Sequence, residues 1–291
     1  MELHGIHVPL VTPFAADGSV AADALAGLAR DALSAGAAGL VALGTTGEPA
    51  TLSEDERHTV VAVLAEVCRG YGAPLTVGAG GNDTRRSADA LAALAGTADA
   101  ALVTVPSFLR PGEAGALAHL AHLAERSPVP LVVYHIPYRT AQPLGAAVLR
   151  EVLALPNVAG LKYAPGGIDQ DAVELLADGP AGVMAGDDVF LSPLLAMGAS
   201  GGVLASAHLA TGRFVDLADA WHKGDAARAR DLGRRLARLS AAVFAEPNPT
   251  VVKAVLHAQG RIPTPDVRLP LLPAAPGRVG PVLAALAALD D

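Results

Sequence analysis

The sequence is poor in cysteine, lysine and aromatic residues, and each shortage limits what the protein can be. Its single cysteine, Cys68, forbids an internal disulfide and fits a reducing compartment. On the helical pattern around it, this thiol reads as small apolar filling rather than a nucleophile. No apolar run approaches the roughly 18 residues that a membrane-spanning helix needs. The opening MELHGIHVPL lacks the basic stretch and long apolar core of a secretory signal. A cytoplasmic protein with no membrane partner is therefore expected. Aromatic residues make up only 3%, and 21 basic residues against 29 acidic ones leave a net charge of −8. With no basic stripe and no aromatics interleaved with one, a nucleic-acid partner is not expected.

What is present is a chain of 291 residues, 52% hydrophobic and rich in alanine. That length can bury a sizeable core, and the alanine favours helices. Short apolar runs recur at Ile6–Val11, Gly39–Leu43, Pro74–Val77, Ala101–Val105, Leu131–Tyr134, Val158–Lys162, Ala181–Ala185 and Gly201–Ala205. Between them lie stretches with helical spacing. Examples are Leu25, Leu28, Ala29, Ala32 and Leu33; Val60, Val63, Leu64 and Val67; and Leu117, Leu120, Ala121 and Ala124. Ser53 and Glu56 read as a capping box that opens the second of these.

Strands alternating with helices predict a parallel sheet, and this many units predict a closed (β/α)₈ TIM barrel. An open doubly wound sheet would want a glycine-rich phosphate turn after its first strand, where Thr12-Pro13-Phe14 stands instead. After Ala205 only helical stripes continue, through Phe214, Leu217, Ala218 and Trp221, then Leu232, Leu236, Leu239 and Val243, then Val282, Ala285, Leu286 and Leu289. The expected organisation is a barrel over 1–208 and a C-terminal helical extension, 209–291, packed on it.

Active sites of such barrels lie at the C-terminal strand ends. Of the chain's lysines (162, 223 and 253), only Lys162 ends a β-like run, inside VAGLKYAPGG. Desolvation there lowers an amine's pKa, and a neutral amine can attack a carbonyl to form a Schiff base. A structural lysine snorkelling from the strand end would read the same way. The second strand ends in Gly44-Thr45-Thr46-Gly47-Glu48, two hydroxyls and backbone amides between glycines, suited to a small carboxylate or to an ordinary capped turn. The fifth ends in Tyr134-His135-Ile136-Pro137-Tyr138-Arg139-Thr140. A tyrosine there can shuttle protons and an arginine can grip a carboxylate. Strand alternation turns His135 to the opposite face from Tyr134, so it reads as structural. His119 and His122 lack a third metal ligand, and Asp187 of Gly186-Asp187-Asp188 reads as a helix N-cap. No metal is expected.

Taken together, these residues resemble the dihydrodipicolinate synthase/N-acetylneuraminate lyase family of pyruvate-dependent class I aldolases. The resemblance rests on Pro9-Leu10-Val11-Thr12-Pro13-Phe14, GTTGE at 44–48, Tyr134 through Thr140, GLK at 160–162, GDD at 186–188 and Glu246-Pro247-Asn248-Pro249. It implies that Lys162 forms an imine with pyruvate, that Tyr134 and Thr45 are catalytic, and that no cofactor takes part. Thr46, Gly44 and the backbone near Val203 would help hold the keto acid. Arg139 resembles the arginine that binds the carboxylate of aspartate semialdehyde in the synthase branch. The family also implies a homodimer or homotetramer.

Two departures bear on the second substrate. Phe108 stands where the synthases carry a tyrosine lent to the neighbouring subunit, and Tyr138 and Tyr163 bring bulk to positions that are small or polar there. These three residues are the possible pocket substitutions. The expected activity is a synthase-like condensation of pyruvate with an aldehyde. Aldol or dehydratase chemistry on 2-keto-3-deoxy sugar acids, or a weakly active keto-acid-binding barrel, are the alternatives.

Overall fold

The computed structural model describes residues 3–177, 179 and 182–289. Eight strands run Gly5–Pro9 (β1), Gly39–Ala42 (β2), Leu75–Gly78 (β3), Ala100–Thr104 (β4), Leu131–His135 (β5), Val158–Tyr163 (β6), Val183–Ala185 (β7) and Gly201–Val203 (β8). They close into a barrel in chain order. The pairings β1–β2 and β3 through β8 are all parallel. The expected (β/α)₈ barrel is thus the fold, each apolar run supplying one strand. Ala181, where the seventh run was expected to begin, lies outside the described residues.

The helices are Ala22–Ser34 (α1), Glu54–Tyr71 (α2), Thr84–Ala92 (α3), Gly112–Arg126 (α4), Pro137–Thr140 (α5), Ala146–Ala154 (α6), Gln170–Ala177 (α7), Leu191–Ala196 (α8), Ala207–His222 (α9), Ala226–Val243 (α10), Thr250–Ala258 (α11) and Val279–Ala287 (α12). Two compact units are distinguished, Met1–Gly5 with Thr76–Val203, and Ile6–Leu75 with Leu204–Asp291.

In the first unit, β4, β5 and β6 carry near-continuous apolar runs because parallel strands covered by helices are buried on both faces. Register pairs Tyr134 with Lys162 and His135 with Tyr163. On α4 the buried stripe is Ala116, His119, Leu120, Leu123 and Ala124, turned from the expected one so that it takes in His119. That histidine meets the Thr84 hydroxyl through Nδ1 at 2.9 Å.

In the second unit α1 packs against α2, and α9 and α12 against α10. The α1 core face is the predicted set Leu25, Leu28, Ala29, Ala32 and Leu33. The α2 capping box forms as expected: the Ser53 amide donates to the Glu56 carboxylate at 2.8 Å, and the Glu56 amide to the Ser53 hydroxyl at 3.2 Å. Cys68 is buried within α2.

Candidate active site

In the first unit the decisive side chain is Lys162, near the C-terminal end of β6 and only 6% exposed. Its Nζ lies 4.1 Å from the centroid of the Tyr134 ring on the adjoining strand. Among the described residues it makes no ion pair. Burial pulls its pKa down from 10.5 to about 8; Asp188 and Asp187 oppose this, and Arg139 adds to it. A proton-free amine is therefore within reach at neutral pH, which is what nucleophilic attack on a ketone requires.

The neighbouring strand end leaves room for this chain. A Cβ added at Gly186, just beyond β7, would sit 2.9 Å from Lys162 Cγ and 2.9 Å from Ala164 Cβ. Only glycine lets the backbone approach the lysine stem so closely. The next residue, Asp187, does not act as the expected N-cap: its side chain makes no capping bond. Instead its Oδ2 accepts from the Gly166 amide at 2.7 Å, tying down the loop that follows β6. Burial raises the Asp187 pKa, against that bond and the nearby Lys162 and Arg139 charges.

Arg139 and Tyr138 sit on the single turn α5, directly after β5, where Pro137 presets the first helical residue. The guanidinium lies 5.9 Å from the Tyr138 ring centroid. Both side chains are exposed, and Arg139 stays close enough to Lys162 to lower its pKa. Phe108 is 86% exposed in the loop after β4. Val203, at the end of β8, is buried.

Tyr163 corrects the sequence reading. It stacks on His135, with ring centroids 5.6 Å apart, and donates its hydroxyl to Asp169 at 2.8 Å. Successive strand residues face opposite ways, so Tyr163 and His135 turn away from Lys162 and Tyr134. Asp169 in turn caps the first turn of α7, accepting from the Ala172 amide at 2.8 Å. Tyr163 therefore takes no part in shaping the space around the amine.

In the second unit, β2 runs into a one-turn 3₁₀ helix, Thr45–Gly47, with Gly44 extended before it and Glu48 left-handed at φ 54° after it. The turn's own bonds use the amides of Gly47 and Glu48 and leave those of Thr45 and Thr46 outside it. Two hydroxyls and two leading amides at a helix-like N-terminus suit an anion.

The dihydrodipicolinate synthetase family profile matches residues 2–287. The chain belongs to this family. It is 37% identical over 273 residues to the 4-hydroxy-tetrahydrodipicolinate synthase of Methanothrix thermoacetophila, covering 92% of this chain and 91% of that one. Its fold is similar to a chloride-inhibited dihydrodipicolinate synthase of Acinetobacter baumannii solved with pyruvate. That match has a TM-score of 0.92 and 32% identity and covers 98% of each chain. A monomeric dihydrodipicolinate synthase variant matches with a TM-score of 0.93 at 30% identity, over 99% of this chain and 97% of that one. As a member of the dihydrodipicolinate synthetase family, the protein is a class I pyruvate-dependent lyase or aldolase.

Three residues of this family member escape a reading of the sequence. Lys253, on α11, looks like an ordinary helical lysine but is fully buried. Its Nζ pairs with Glu48 at 2.8 Å, donates to the Thr12 carbonyl at 2.9 Å and lies 4.0 Å from the Phe14 ring centroid. Burial lowers its pKa while Glu48 holds it up. The Arg268 amide donates to the other Glu48 oxygen at 2.9 Å, and its guanidinium is bonded to Glu56. Asn248 donates from Nδ2 to the Thr46 hydroxyl at 2.9 Å. No periodicity flags these contacts, since the partners are some 200 positions apart in the chain; only the Glu246-Pro247-Asn248-Pro249 motif marks the region.

Proposed function

We propose that the protein condenses pyruvate with aspartate semialdehyde through a Schiff base at Lys162, as a 4-hydroxy-tetrahydrodipicolinate synthase does. The observation that carries this reading is the buried amine of Lys162, without an ion pair among the described residues and with its pKa drawn to about 8. The neutral amine attacks C2 of the keto acid, and loss of water leaves an iminium. That cation is an electron sink, so a proton leaves C3 and the enamine carbon adds to the aldehyde. Hydrolysis then frees the product and restores the amine.

In this reading Tyr134, against the lysine, relays protons in imine formation, with Thr45 as its partner in the relay. Thr46, Gly44 and the Val203 backbone hold the pyruvate carboxylate, and Arg139 receives the carboxylate of the semialdehyde. Tyr138 borders the acceptor, and a homodimer or homotetramer is the working assembly. Barrel and active-site strand ends occupy 1–208, with 209–291 as the added helical layer.

Borohydride reduction in the presence of pyruvate tests the first step. A single adduct mapped to Lys162, absent from Lys162→Ala, is expected. Turnover with the semialdehyde but not with 2-keto-3-deoxy sugar acids is expected next. The reverse preference would move the enzyme to the sugar-acid branch, and trapping without turnover of any aldehyde would leave only a keto-acid binder.

A further inference from the structure

The Thr45–Gly47 turn is held from several sides within its own unit. The Thr12 hydroxyl donates to the Gly47 carbonyl at 2.8 Å, and Glu48 is fixed by Lys253 and by the Arg268 amide. All of these grip backbone or the Glu48 carboxylate. Among the described residues, Asn248 alone reaches a threonine hydroxyl of the turn. A hydroxyl has one proton to give and two lone pairs to receive. Because Asn248 donates to Thr46 Oγ1, it occupies a lone pair and leaves the Thr46 proton free to point elsewhere.

The same amide keeps its Oδ1 buried and without a hydrogen-bond partner among the described residues. Buried amide oxygens are ordinarily paired. Turning the amide over would bring Oδ1 to Thr46, but the hydroxyl would then spend its proton on Asn248. Thr46 itself is 3% exposed, so a hydroxyl whose proton pointed at Asn248 would have little else to offer.

We propose that Asn248 is a positioning residue for keto-acid binding: its amide donates to Thr46 so that the Thr46 hydroxyl donates its own proton to the substrate carboxylate. This rests on the assignment of Thr46 to the pyruvate carboxylate. Asn248 touches no reacting atom and acts only through Thr46. It gives the Glu246-Pro247-Asn248-Pro249 segment, which follows α10, a part in recognising the first substrate rather than in the chemistry of the amine.

A double-mutant cycle tests it, read as the pyruvate concentration that half-saturates borohydride trapping of Lys162. Thr46→Val removes the proton donated to the carboxylate, and Asn248→Ala removes what aims it. Each is expected to raise the half-saturating concentration roughly 10-fold or more, as for loss of a hydrogen bond to a charged group. Acting through one hydroxyl, the double variant should be no worse than Thr46→Val. The pH midpoint of trapping should stay where it is in the unaltered protein, since the amine is untouched.

Asn248→Asp sharpens the test. Its carboxylate has the amide's shape but only accepts, so it would take the Thr46 proton and should weaken pyruvate binding more than Asn248→Ala. Additive effects in the cycle, a silent Asn248→Ala, or an Asn248→Asp milder than Asn248→Ala would each overturn the proposal. Circular dichroism and melting of every variant separate these outcomes from misfolding. Absence of any pyruvate adduct on the unaltered protein would instead remove the Schiff-base reading on which the proposal stands.

Discussion

Two lysines are buried in this protein, and their surroundings give them opposite characters. Lys253 keeps a carboxylate, a carbonyl and an aromatic face around its ammonium, whereas Lys162 has the Tyr134 ring and no ion pair among the described residues. The pKa of about 8 at Lys162 fixes a pH dependence. Below it the amine is protonated and cannot attack, so the rate of pyruvate trapping should fall about tenfold per pH unit on the acid side and level off above pH ~8. A stopped-flow or quench series from pH 6 to pH 9, taken as roughly spanning that value, measures it. A flat profile would mean that the amine does not titrate in this window.

The same displacement has a cost in stability, with a definite sign. A lysine whose folded pKa lies below its unfolded value binds fewer protons when folded, so the fold gains stability as pH rises from about 8 to 10.5. Below that window the shift opposes folding by about 3 kcal/mol. Lys162→Met, similar in length and uncharged, should therefore be inactive yet more stable at pH 7 by up to that amount. The advantage should fade as the pH is raised through the window. Urea unfolding at several pH values checks both statements, and a Lys162→Met protein less stable than its parent at pH 7 would contradict the first.

At the scale of elements, the turn after β2 is braced by a helix and a loop that follow the last strand. Glu48 receives Lys253 from α11 and the backbone of Arg268, while Arg268 also binds Glu56 in the first turn of α2. Removing one member of a buried pair leaves the other charge stranded. Lys253→Met should cost about 3–5 kcal/mol, whereas the neutral double variant Glu48→Gln/Lys253→Met should recover most of the loss. Equal destabilisation of the single and double variants would show that the lysine's packing, not its charge, sustains the turn. The capping box at Ser53 was legible because it depends on residues three apart; the clasp on Glu48 was not, because its ends lie 205 positions apart.

For the molecule as a whole, the loop joining β4 to α4 stands out. Phe108 is 86% exposed and Leu109 63%, and Phe108 and Arg110 hold left-handed backbone angles, φ 65° and 47°, that residues with a Cβ rarely adopt. In the proposed oligomer, these two adjacent large apolar side chains on a strained loop would be covered by a second copy of the chain. Sedimentation at micromolar concentration should show a dimer or larger species, and Phe108→Asp with Leu109→Asp should shift it towards monomer without changing the circular dichroism. A monomer before any substitution would assign the loop another role.

The sequence by itself determined the barrel, the strand ends that carry Lys162 and Tyr134, the turn that carries Thr45, and the buried stripe of α1. It could do so because side-chain periodicity, capping and turn chemistry act over a few residues. Only the tertiary structure decided which buried lysine has no ion pair among the described residues, that Tyr163 turns away from it to meet His135 and Asp169, that Asp187 ties down Gly166 rather than capping a helix, and that Asn248 finds Thr46. Desolvation and charge pairing depend on what surrounds a group in space, and the chain brings those neighbours together only when it folds.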